Sequence, residues 1–123
     1  MTIHITPQTL LATADRVALH AQLVQDFNPL HLDEAFAAQT PFGGAIVHGS
    51  MMMNLLVDTL ERAGGRDFAA GDLNLRFAAP VRVGHTITAG GEPADDGNEY
   101  TVWVKRSDGT VAVSGVFRPG DEN

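Results

Sequence analysis

The chain is expected to be an α+β protein in which an antiparallel sheet encloses one central helix. Three observations lead there. A long segment from Ala45 to Ala63 is almost free of charge until Asp58, Glu61 and Arg62, and it stops at Gly64-Gly65, a helix-terminating pair. Beyond Asp67 the character becomes β. Finally, no helical stretch separates the C-terminal strands, which excludes a doubly wound βαβ arrangement.

Along the chain, a first helix is predicted from about Asp15 to Gln25, because Ala14, Val17, Ala18, Ala21 and Val24 recur at three- and four-residue spacing. It ends at Asp26-Phe27-Asn28-Pro29, since Pro29 disfavours the α region at Asn28 and short polar side chains bond their own backbone in turns. A short helical stretch starting near Asp33 runs through Ala38. After the Pro41-Phe42-Gly43-Gly44 breaker comes the long helical segment. Its apolar residues, from Ile46 through Leu60, surround most of its circumference, and a helix apolar nearly all round is a buried one.

About four strands follow: Asp72 to Phe77, Thr86 to Ala89, Tyr100 to Val104 and Val111 to Phe117. Asp96-Gly97-Asn98 and Ser107-Asp108-Gly109 are the turns of what reads as an antiparallel meander. With 123 residues and no linker or repeat, a single domain over 1–123 is expected.

Bulk composition narrows the function. The apolar content is 44% and the charged content 19%, which suits a folded globular domain. A formal net charge of -7 with eight scattered basic residues offers no stripe for a phosphate backbone, so nucleic acid is not an expected partner. Any acidic ligand must meet a local basic spot, for which Arg76, Arg82, Lys105, Arg106 and Arg118 are available. The absence of cysteine removes disulfides, thiolate catalysis and thiolate metal ligands. No segment has the length of a membrane span, and Met-Thr-Ile-His-Ile is not the start of a secretory leader, so a cytoplasmic protein is expected.

Two stretches carry the chemistry. The first is Asp26-Phe27-Asn28-Pro29-Leu30-His31 with Asp33 and Ala37, and the second is Phe42-Gly43-Gly44-Ala45-Ile46-Val47-His48-Gly49. Together with Arg76-Phe77-Ala78-Ala79-Pro80-Val81-Arg82-Val83-Gly84-His85-Thr86-Ile87, they resemble the MaoC-like, R-specific enoyl-CoA hydratase family. The resemblance implies a hot-dog fold, usually dimeric, that adds water to an enoyl thioester or removes it from the 3-hydroxyacyl form. This chain departs from the family pattern in having Val24-Gln25 where a small residue and glycine usually precede the Asp. It also has Ser50 where an apolar residue commonly follows the His-Gly pair.

Hydration of an enoyl thioester needs a base for water, a proton donor for Cα and a stabiliser for the enolate oxygen. Asp26 and His31 would supply the first two by flanking one water. The amide of Gly49 at a helix start would supply the third, with no side chain to hold the thioester carbonyl away. Asp26 alone would read as a turn residue and His31 alone as a surface or packed histidine; their joint occurrence ahead of His48-Gly49 makes them the catalytic candidates.

The remaining candidates are supporting or substrate-binding residues. Asn28 would brace the turn through its side chain, and Pro29 would stiffen it. His48 either orients the helix start or packs there, while Ser50 either bonds the thioester carbonyl or caps the helix. Met51, in the run Met51-Met52-Met53, either lines an acyl tunnel or belongs to the core.

No metal site is expected, because Asp33-Glu34 near His31 lacks a His-Glu-x-x-His pair. Without a glycine-rich phosphate loop, no cofactor is expected either. The predicted ligand is an acyl thioester of coenzyme A or acyl carrier protein, and the predicted partner is a second copy or a related chain in a heterodimer. A thioesterase on the same fold and a non-catalytic acyl-binding subunit are the competing readings.

Overall fold

The computed structural model describes residues 2–95 and 98–120. Its elements in chain order are β1 (Gln8–Leu11), α1 (Ala14–Val24), α2 (Pro29–Leu32), α3 (Glu34–Ala38), α4 (Gly49–Gly64), α5 (Arg66–Ala69), β2 (Asp72–Phe77), β3 (Thr86–Pro93), β4 (Tyr100–Arg106) and β5 (Val111–Arg118). The strands form one antiparallel sheet in the order β1-β3-β4-β5-β2. The long helix α4 packs against β1, β3 and β4. This is the hot-dog fold.

The core follows from two periodicities meeting. From α4 come Met51, Met52, Leu56 and Leu60, and from alternate strand positions come Ile87, Ala89, Val102, Val104, Val113 and Phe117. Phe68 of α5 joins them, edge-on to Phe117 and Tyr100 at ring separations of 5.2 and 5.6 Å. The Tyr100 hydroxyl escapes burial as an unpaired donor or acceptor by accepting the Ile3 amide at 2.8 Å.

Several expectations are corrected. The meander holds for β3, β4 and β5, but β2 pairs with β5 at the far edge and not with β3. Its connection to β3 crosses the fold and is itself pinned, Val47 donating to the Val81 carbonyl and Val83 to the Ala45 carbonyl at 2.8 and 2.9 Å. Those same bonds keep Ala45–Val47 extended, so the helix starts at Gly49 rather than at the front of the apolar run; Ile46 bridges Arg82. An unbroken apolar run carries no period that separates the two states.

The long helix is also not buried all round. Met53 is 39% exposed, Asn54 is exposed, and Leu55 and Val57 are half-buried. β1 and the one-turn helices α2 and α5 are too short to leave a pattern. The strand β1 pairs with β3 through Gln8↔Ala89 to Leu11↔Thr86. Asp33 does open a helical stretch, its carboxylate accepting the Phe36 amide at 3.0 Å. In the Ser107–Gly109 turn, Gly109 takes φ 88, and the Arg106 guanidinium holds the Asp108 carboxyl down to about 2. Asp96 and Gly97 of the other expected turn lie outside the described residues.

The end of α1 has an energetic signature. Gln25 caps it in the left-handed region, φ 57 and ψ 42, and is the one non-glycine residue with positive φ among the described residues. A side chain there is disfavoured, whereas glycine adopts the conformation freely. Gln25→Gly is therefore expected to raise the denaturation midpoint, by up to about 1 kcal/mol after glycine's extra chain entropy. In the core, Leu56→Ala removes a side chain with no exposed surface and is expected to cost about 2–5 kcal/mol in urea unfolding.

Candidate active site

The left-handed turn at Gln25 releases the chain from α1 and presents Asp26. Its carboxylate Oδ1 accepts the Asn28 amide at 3.2 Å, closing an Asx turn. Asn28 in turn caps α2, its Oδ1 accepting the Leu30 amide at 3.0 Å, and Pro29 occupies the first helical position where a missing N–H costs nothing. The Asn28 side chain thus bonds within the turn, to the residue preceding His31. Pro29 does more than stiffen: it starts the helical turn on which His31 rides.

The orientation of His31 is fixed by one bond. Its Nδ1 donates to the Ile46 carbonyl at 2.7 Å, which leaves Nε2 as the nitrogen facing Asp26. Nε2 and Asp26 Oδ2 are 3.9 Å apart, beyond a direct hydrogen bond but suited to sharing one small ligand. His31 is mostly covered, while the Asp26 side chain is about half exposed.

His48 lies behind them. It is buried, its Nε2 donates to the Asp26 backbone carbonyl at 3.1 Å, and its ring stacks on His31 with centroids 3.8 Å apart and 25° between planes. Because a carbonyl only accepts, Nε2 carries a proton, while Nδ1 is buried without a partner among the described residues. His48 also sits at the N-cap of α4 without a side-chain capping bond. The ligand atoms of Asp26, His31 and His48 lie within 4.8 Å of one another. The stacked rings, however, do not let one ion lie in both ring planes at bonding distance.

Gly49 opens α4. Its amide is in the first turn, has no intrahelical acceptor, and carries the positive end of the helix dipole. A Cβ at this position would meet the Phe77 ring at 3.0 Å. Gly49 and His31 line one cleft of about 340 Å³, with Phe42, Ile46, Val47, Met52 and Phe77 to Pro80 completing its walls. This wall is mainly apolar, as an acyl chain requires.

For Met51 and Ser50 the structure bears on the alternatives left open. Both Met51 and Met52 pack in the core, and Met52 also lines the cleft. Ser50 does not cap the helix, since His48 holds that position; its hydroxyl is 2.8 Å from Nε2 of His20. His20 is a site neighbour that the motif does not contain. It lies on α1 three residues after Val17, on the buried face, only 7% exposed, and meets His48 edge-on at 4.9 Å. Its place in the three- and four-residue repeat was the available signal. Burial, and next the neighbouring His48, lower its pKa from the usual histidine value, against the opposing pull of Asp26.

An (R)-specific enoyl-CoA hydratase of Aeromonas caviae is 44% identical over 77 residues, 62% of this chain and 58% of that protein. A 3-hydroxybutyryl-CoA dehydratase of Methylorubrum extorquens is 40% identical over 76 residues, 61% of this chain and 48% of its own length. The chain spans about half the length of the curated relatives it matches. Among solved structures, an (R)-hydratase from A. caviae superposes with a TM-score of 0.81 at 33% identity, covering 95% of this chain and 93% of that one. An R-hydratase from Pseudomonas aeruginosa, 24% identical, shares the fold at a TM-score of 0.83, over 100% of this chain and 83% of that one. Residues 2–113 match the family described as MaoC like domain, and the chain belongs to that family.

Proposed function

We propose that this protein is a single-domain cytoplasmic hydratase or dehydratase interconverting trans-2-enoyl and (R)-3-hydroxyacyl thioesters. The observation that carries this reading is the pinned His31, whose free Nε2 faces the Asp26 carboxylate beside a cleft that also exposes the start of α4. In the hydration direction, a water held between Asp26 and His31 gives a proton to the pair as its oxygen bonds to C3. Electron density moves to the thioester oxygen, which the Gly49 amide stabilises. Collapse of the enolate takes a proton from the pair at C2, so the pair ends as it began. Dehydration is the reverse.

The apolar wall of Phe42, Met52 and Phe77 would take the acyl chain, with coenzyme A or acyl carrier protein as its carrier. The same reading includes pairing with a second copy, supported by the uncovered side of α4 at Met53 and by Phe77, which is 53% exposed. Sedimentation equilibrium is expected to give twice the chain mass; a monomer at micromolar concentration would remove the dimer from the proposal.

Mixed with crotonyl-CoA, the protein is expected to bleach the enoyl-thioester absorbance without releasing thiol. Release of thiol would instead make it a thioesterase, and silence in both signals would overturn catalysis on this substrate. Asp26→Asn and His31→Ala are each expected to lower kcat/KM by about 10²–10⁴-fold with unchanged circular dichroism. Gly49→Pro removes the amide N–H and is read against Gly49→Ala, which brings a Cβ against the Phe77 ring but keeps the N–H. Proline is tolerated at the first helical position, and His48 at φ -59, ψ 138 already has the backbone that precedes proline. Loss of that N–H is expected to lower kcat by about 10²–10³-fold.

A further inference from the structure

Behind the catalytic pair, three imidazoles stand in contact. His31 is stacked on His48, His48 meets His20 edge-on, and His20 Nε2 is hydrogen-bonded to the Ser50 hydroxyl. Ser50 is the residue next to Gly49, so the bond ties α1 to the first turn of α4 at the point where the candidate oxyanion amide is held. A part-buried polar pair of this kind contributes little net stability, and an apolar pair of the same shape would serve packing as well. Its position against the site, rather than its energy, is what distinguishes it.

We propose that His20 is a positioning residue for the reaction, holding Ser50 and thereby the Gly49 turn from one side, and bearing through His48 on His31 from the other. This rests on the hydratase reading above. The neutral form is the one that fits. The charged groups around His20 are His48 at the N-cap of α4, Asp26 after α1 and His31 on α2, and burial with the two imidazoles outweighs the carboxylate. Protonation adds a positive charge beside the stack and makes both ring nitrogens donors, so that Ser50 can only accept from Nε2 and its own proton must turn elsewhere. The active arrangement is therefore lost as the pH falls through the lowered His20 value, and is intact above the usual histidine range.

The test compares the parent with His20→Gln, which keeps a polar reach to Ser50 without titrating, and with His20→Phe, which keeps a ring and removes the bond. With crotonyl-CoA at pH 8, His20→Gln is expected to stay within about threefold of the parent, and His20→Phe to lose on the order of tenfold in kcat at nearly constant KM. The acid limb of kcat/KM is expected to be shallower by one proton in His20→Gln than in the parent. Independently of turnover, the ring Cε1–H resonances of His31 and His48 are expected to show an inflection at the His20 midpoint in the parent, and none in His20→Gln. Matching acid limbs, or a His31 resonance without that inflection, would overturn the proposal. If the parent does not act on crotonyl-CoA, the hydratase reading fails for that substrate, and the shared inflection by itself decides whether His20 bears on the other two rings.

Discussion

The bond from His31 Nδ1 to the Ile46 carbonyl is the constraint on which the site depends, because Ile46 belongs to three parts of the structure at once. Its amide donates to the Leu30 carbonyl at 3.1 Å, its backbone bridges Arg82, and its carbonyl fixes the imidazole. Three residues of extended chain thus join the turn that carries Asp26 and His31 to the crossing connection and to the start of α4. Glu34 reinforces the same junction, one carboxylate oxygen accepting the Ala45 amide at 3.0 Å and the other meeting Arg82 at 3.4 Å. The ring and the Gly49 amide are therefore positioned by one short segment, and the geometry between them is rigid without a long element to make it so.

That junction is also where sequence reading stops. The helices with a clear apolar period, α1 and α4, and the strands with alternation or β-branched residues are visible from residue types, because burial on one face imposes the period. Ala45-Ile46-Val47 is apolar on every side, and what makes it extended is pairing with residues 81 to 83, which lie more than thirty positions away. The placement of β2 beside β5 is likewise non-local. Nothing within Asp72–Phe77 names its neighbour.

The site was legible to the extent that its residues lie in contiguous motifs. Asp26, Asn28, Pro29 and His31 act through i+2 and i+3 contacts, which a string of letters encodes directly. Gly49 follows from the need for a bare helix-start amide. For Ser50 and Met51 residue type left two readings each, since a one-residue shift around a helix turns a side chain by about 100° and decides that Met52 rather than Met51 reaches the cleft. His20 was hidden for a different reason: a histidine at an apolar position is visible as an exception, but its partner at residue 50 is named only by the packing of two helices.

The bond between His20 and Ser50 also constrains how such a chain can diverge. His20, left without Ser50, is a buried imidazole missing its partner, so replacements of the two are coupled. A lineage can reach or leave this state easily only by changing both, and single steps in either direction pass through a less fit intermediate. Comparing descendants of this chain, positions 20 and 50 should then turn over together, a paired substitution written into two helices that share no sequence motif.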